Sequence, residues 1–123
     1  MARILLAEDD DRMRVFLSRG LRRAGHAVDP AADGEAALAQ AREADYDLLL
    51  ADVVMPGIDG IELARRVSLR QPGIRVMFIT GFAAVALRES RNRASLARNR
   101  PRVLAKPFHL RRLVEEVANL LTE

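Results

Sequence analysis

Along the chain, short aliphatic runs alternate with stretches in which apolar residues recur every three or four positions. The runs are Ile4-Leu5-Leu6-Ala7, Leu48-Leu49-Leu50-Ala51, Val76-Met77-Phe78-Ile79 and Val103-Leu104-Ala105. Unbroken runs of this length, rich in branched residues and bounded by turn formers, predict strands buried on both faces, as in a parallel sheet. Strands are expected over residues 3–7, 47–52, 75–80 and 103–105, with a weaker one over 27–30. Helical spacing predicts helices over 11–24, 34–43, 60–69 and 110–121. In the first of these, Met13, Phe16, Leu17 and Leu21 share a spacing, acids open the helix and Gly25 stops it. Pro72-Gly73 stops the third, and Leu110, Leu113, Val114, Val117 and Leu121 form one stripe in the last. Alternating strands and helices with short connections predict one α/β domain over 1–123, a sheet covered on both faces, with no output domain. Residues 81–102 fit least well, because 88–93 carry no apolar residue and Asn92, Ser95, Asn99 and Pro101 weaken a helix. They are expected to be helical only in part, as a switching element or a loose surface loop.

Each run ends in residues able to handle a phosphate or a divalent cation: Glu8 and Asp9, then Asp52, Thr80 and Lys106. Parallel strands present these ends along one edge, so the groups should converge. Clustered carboxylates repel unless a cation sits among them, and hard oxygen ligands without His or Cys favour Mg²⁺. Pro56, Gly57 and Gly60 turn the chain tightly after Asp52, which leaves its carboxylate exposed and a backbone carbonyl near Val54 facing the metal. Asp52 then suits a nucleophile toward phosphorus, with the Thr80 hydroxyl and the Lys106 ammonium on phosphoryl oxygens. Lys106 is the single lysine among 20 basic residues, and an ammonium is a compact point charge where a guanidinium is a broad fork. Taken singly these residues have plainer readings, since Thr favours strands and Lys-Pro is common in loops; joint occurrence on successive strand ends carries the inference. Asp10, Asp11 and Asp59 stand where helix caps are expected, and His26 and His109 are expected at surface or half-buried positions without a functional role.

The 123 residues contain no cysteine, which removes disulfides and thiolate metal sites. No apolar run approaches the roughly 20 residues that cross a bilayer, so no membrane contact and a cytoplasmic location are expected. The formal charge is +3, but the excess is local: six arginines and one acid occupy 88–102, whereas 8–11 are all acidic. No aromatic residues interleave with those arginines and no helix-turn-helix pattern is present, which argues against DNA and for a solvated basic face or a docking patch for an acidic protein.

Glu8-Asp9, Asp52 within Asp-Val-Val-Met-Pro-Gly-Ile-Asp-Gly, Thr80-Gly81 and Lys106-Pro107-Phe108 resemble the acidic pair, phosphoacceptor loop, switch hydroxyl and lysine of the response-regulator receiver domains of bacterial two-component signalling. The resemblance spans essentially the whole chain. It implies a flavodoxin-like, doubly wound, five-stranded parallel sheet of order 2-1-3-4-5 with helices on both faces, and a binding crevice between the first and third strands. It also implies a histidine kinase or histidine phosphotransferase as phosphodonor, Mg²⁺ held by Glu8, Asp9, Asp52 and Val54, and a phosphorylated Asp52 contacted by Thr80 and Lys106. Such a protein promotes only its own phosphorylation and dephosphorylation, which changes the face built from the helix before the last strand, that strand and the C-terminal helix. The stretches 47–52, 76–87 and 106–110 further resemble stand-alone alphaproteobacterial cell-cycle receivers, which implies an effector protein such as ClpX, the unfoldase of the ClpXP protease, and no DNA. A phosphorelay intermediate or phosphate sink without an effector stays open as an alternative, to be separated by a pull-down. A Mg²⁺-dependent phosphohydrolase fits less well, because its strand-1 Asp-x-Asp is here Glu-Asp-Asp. Val103 stands where many receivers carry an aromatic, and the interval from Thr80 to Lys106 is long. The segment 88–101, Phe82 or Phe108 is therefore expected to report the phosphorylation state.

Overall fold

The computed structural model describes residues 1–81 and 101–123. Five strands, β1 (Arg3–Ala7), β2 (Ala27–Ala31), β3 (Leu48–Asp52), β4 (Arg75–Thr80) and β5 (Arg102–Ala105), form one sheet in the order β2-β1-β3-β4-β5. Every neighbouring pair is parallel. Four helices are described, α1 (Asp11–Arg23), α2 (Gly34–Glu43), α3 (Gly60–Arg70) and α4 (Leu110–Thr122). The expected fold and strand order are thus observed, with element ends displaced by a residue or so, as fraying allows. The expectations for 82–100, including the partial helix and Phe82, lie outside the described residues.

The unbroken hydrophobic runs follow from a sheet with no solvated face. Leu5, Leu49, Val76 and Phe78 point into one core with Ala37, Leu38 and Ala41 of α2 and Ile61, Leu63 and Val67 of α3. Their neighbours Ile4, Leu6, Leu50, Met77 and Ile79 point into a second core with Leu17 and Leu21 of α1 and Leu113, Val117 and Leu120 of α4. Period-two alternation thus divides each run between two apolar layers, and no position is left for a polar residue.

Three of the four described helices start on short acidic side chains. Asp10, Asp33 and Asp59 each accept a hydrogen bond from the backbone N–H three residues on, at Met13, Ala36 and Glu62. After α1, Gly25 adopts φ +102, the left-handed conformation that closes a helix.

Phe16 departs from the reading that grouped it with the α1 core stripe: it is 47% exposed, beside Val15 at 48%. The buried side of α1 carries Leu17, Gly20 and Leu21 instead. A Cβ on Gly20 would lie 2.6 Å from Leu110, so the missing side chain lets α4 close onto that side and leaves Phe16 on the outer flank.

At the sheet edge, Ala27 donates to Ala2 and Ala31 accepts from Glu8, so odd-numbered residues of β2 face β1 and Val28 and Pro30 face outward. Arg22 donates to the Val28 carbonyl at 2.9 Å, and Gln40 to that of Pro30 at 3.2 Å. Pro30 has no N–H to leave unpaired, which is why proline is tolerated in an edge strand.

Candidate functional site

The C-terminal ends of β1, β3, β4 and β5 meet at a cleft of about 290 Å³ lined by Glu8, Asp9, Asp10, Asp52, Val54, Thr80, Gly81 and Lys106. All the residues singled out from the strand ends are therefore brought together. Parallel registry explains it: Asp52 stands beside Ile79, and Thr80 beside Ala105, one residue before Lys106. The Lys106 amide donates to the Thr80 carbonyl at 2.8 Å, which ties the two ends of the outer strand pair.

Asp52 is held at both carboxylate oxygens. Oδ2 accepts from Lys106 Nζ at 2.6 Å, and Oδ1 accepts from the Val54 backbone N–H at 3.0 Å. The turn that follows places the Val53 carbonyl as acceptor for Gly60 N–H at 2.9 Å. Sequence reasoning expected an exposed Asp52, yet it is 6% exposed, because the turn folds back over β3. Thr80 is wholly buried and Val54 is 55% exposed.

Glu8 is fully buried, whereas Asp9 is exposed. Glu8 Oε2 accepts from the Asp10 amide, while Oε1 is buried without a hydrogen-bond partner, 3.6 Å from Lys106 Nζ. Burial, and then the nearby Asp52 charge, push the Glu8 carboxyl up to about 7 despite the Asp10 amide and Lys106. Burial pulls the Lys106 ammonium down, but the hydrogen bond and charge of Asp52, followed by Glu8, more than offset it and hold it above its ordinary value.

One carboxylate oxygen from each of Glu8, Asp9 and Asp52 lies within 4.8 Å of the other two. An all-oxygen donor set with one buried oxygen lacking a hydrogen bond fits a hard divalent cation, and Mg²⁺ needs few protein oxygens because it keeps several waters. Val54, expected to offer its carbonyl, lines the same cleft. Without a cation, folding favours the neutral form of Glu8, so the stability this gives is complete below pH 4.5 and is lost as pH rises through about 7. The metal-free protein should accordingly melt a few degrees lower at pH 8 than at pH 6, a change on the order of 1 kcal/mol. Millimolar Mg²⁺ at pH 8 should reverse that loss and a chelator restore it; melting indifferent to both would remove Glu8 from the ligand set.

Sequence reasoning passed over Arg14. Its guanidinium donates to the Glu8 backbone carbonyl at 2.9 Å and to Asp11 Oδ1 at 2.5 Å, with 19% of the side chain exposed. No spacing rule marks an arginine on an amphipathic helix as a loop anchor. His26 is half-buried, its Nδ1 accepting from the Ala2 amide, and His109 is exposed; neither reaches the cleft. Phe108 is half-buried against the core shared by α1 and α4. Among the described residues, no helix is long and apolar enough to cross a membrane.

Comparison with known proteins agrees with this geometry. The chain is 51% identical over 121 residues to the response regulator receiver protein CpdR of Brucella abortus, covering 98% of each chain. Transcriptional regulatory proteins among its relatives are matched over only 30% to 50% of their own length. Among solved structures, the chemotaxis protein CheY4 of Vibrio cholerae superposes with a TM-score of 0.86 at 28% identity, covering 98% of both chains. The receiver domain from the hybrid histidine kinase CckA superposes with a TM-score of 0.80 at 37% identity, covering 97% of this chain and 98% of that one. The model of the response regulator receiver domain matches residues 4–118, and with the fold and cleft described above this places the chain in the receiver domain family of two-component response regulators.

Proposed function

We propose that Asp52 is the phosphoacceptor of a stand-alone signalling receiver, charged from a phosphohistidine on a histidine kinase or histidine phosphotransferase. The observation that carries this reading is Asp52 itself, a nearly buried carboxylate with an ammonium at 2.6 Å and two further carboxylates around one small cleft. An Asp52 oxygen attacks phosphorus, the P–N bond breaks and the imidazole leaves with a proton. Lys106 is in place to exchange its contact with the carboxylate for one with a phosphoryl oxygen, and the Thr80 hydroxyl is at hand for another. Glu8, Asp9, Asp52 and the Val54 carbonyl would hold Mg²⁺, which when bound offsets the negative charge that otherwise repels an incoming phosphoryl group.

The likeness to CpdR supports an output through protein contact in the cytoplasm, with an effector such as ClpX and a role in regulated proteolysis during the cell cycle. Val103 packs against the core shared by α2 and α3, so the aromatic rotamer switch common in receivers has no counterpart at that position. The state would then be reported by Phe108 or by the segment preceding β5. Incubation with acetyl phosphate and Mg²⁺ should add one hydroxylamine-labile phosphoryl group, read by intact mass, and a chelator should prevent it. A chain that stays unmodified with Mg²⁺ present sinks the phosphoacceptor reading. Phosphorylation-dependent capture of purified ClpX separates the adaptor from a relay intermediate or phosphate sink, for which no capture in either state is expected.

A further inference from the structure

The β1–α1 loop carries Glu8, Asp9 and Asp10, and its backbone is fixed from few directions. The Glu8 amide donates to the Ala31 carbonyl at 3.1 Å, and the Asp10 amide to Glu8 Oε2 at 3.0 Å. Asp10 caps α1 through Met13 N–H at 2.9 Å. The Asp10 carbonyl accepts from the Arg14 amide at 2.9 Å, and the remaining tie is the Arg14 guanidinium, the one side chain from beyond this run of acids that hydrogen-bonds to the loop backbone among the described residues, at the Glu8 carbonyl, 2.9 Å away. Its second hydrogen bond, to Asp11 at 2.5 Å, braces the guanidinium against the first turn of the same helix. A planar fork that donates in two directions suits this task, whereas an ammonium would satisfy one acceptor well.

We propose that Arg14 is a positioning residue for the cation site: it holds the Glu8 peptide so that the Glu8 and Asp9 carboxylates are presented together toward Asp52. The inference rests on the phosphoacceptor reading, since it concerns the same cleft, but it adds a role for a residue that touches neither phosphate nor metal. Two physical effects oppose each other here, and their signs differ. As a positive charge near the acids, Arg14 repels a divalent cation, so on electrostatics alone its removal would tighten metal binding. As an anchor, its removal loosens two ligands and weakens binding, and outer-sphere partners of this kind typically change metal affinity by 10- to 100-fold. The anchoring effect should dominate, because the guanidinium bonds a main-chain carbonyl and Asp11, not a ligand carboxylate, and the Asp11 charge at 2.5 Å offsets much of its field.

The test uses MgCl₂ alone, titrated into the full chain and followed by calorimetry. Arg14→Met should raise the Mg²⁺ dissociation constant about tenfold, with Arg14→Lys intermediate and metal-free melting temperatures close to wild type. Amide exchange in the metal-free protein supplies a second readout: Arg14→Met should exchange faster at Asp10 and Met13, with the core strands unaffected. Equal or tighter Mg²⁺ binding by Arg14→Met, or unchanged exchange at Asp10, overturns the proposal. If Arg14→Met proves unfolded, the same two measurements on Arg14→Lys decide. Wild-type protein that binds no Mg²⁺ would instead count against the proposed function, so the two failures are told apart.

Discussion

Asp52→Asn, treated with Mg²⁺ and acetyl phosphate, gains no phosphoryl group under conditions in which the wild-type chain gains one. The loss should be complete within detection, because a carboxamide has no anionic oxygen to attack phosphorus and no other carboxylate in the cleft reproduces the setting of Asp52. Glu8 is buried and raised to about 7, so at neutral pH it is only partly ionised in the metal-free protein; Asp9 is exposed. Within the cleft the Lys106 ammonium makes its 2.6 Å contact to Asp52, and Glu8 lies 3.6 Å from it. The substitution is close in volume, and the Val54 amide keeps an acceptor, so the fold should persist. Far-UV circular dichroism checks that, and intact mass reads the modification. Labelling of Asp52→Asn at the wild-type level would mean that the phosphorus is carried elsewhere.

Gly60→Ala should have the second large effect, through the backbone. A Cβ at Gly60 would lie 2.2 Å from the Asp52 carbonyl oxygen and 2.9 Å from Val53 Cα. Those are main-chain atoms of a strand end and cannot rotate aside as a side chain would. Overpacking that side chains can absorb costs about 1–3 kcal/mol, so this clash should reach about 3 kcal/mol or more, a large part of the ~5–15 kcal/mol that stabilises an ordinary domain. The melting temperature should fall by roughly 10 °C or more. Any relief must come from moving α3 away from β3, which shifts Asp52 from Lys106, so phosphorylation should slow even in the fraction that remains folded. Gly73→Ala is the control: nothing lies within 4 Å of its added Cβ, and its melting temperature should stay near wild type. Equal melting temperatures for the two variants would show that contact with the phosphoacceptor strand does not set the cost.

The sheet was legible in the sequence because its strands are buried on both faces, which turns each into a run such as Leu48-Leu49-Leu50 that has no helical counterpart of that length. The cleft was legible for a related reason: a polar residue that ends such a run can only stand at the sheet edge, and parallel connections bring those edges together. Helix faces were less so. Phe16 and Leu17 are adjacent on α1, and the period alone does not say which of the two points inward; Gly20, which admits Leu110, decides it. Arg14 was passed over for a similar reason. Its partner is a main-chain carbonyl, which every residue has, so no side-chain pattern announces the contact. The burial of Asp52 escaped notice because it depends on how the turn through Gly60 folds back, a distance that composition does not encode.

At the outer margin of the sheet, the two carbonyls of β2 that point away from β1 are occupied by Arg22 and Gln40, and Pro30 contributes no donor. An extended segment from another polypeptide arriving there would find one available N–H, at Val28, and would have to displace two side chains to gain anything more. Strand addition at the β2 edge is therefore discouraged, which leaves the neighbouring helices and loops as the adhesive surfaces on that flank.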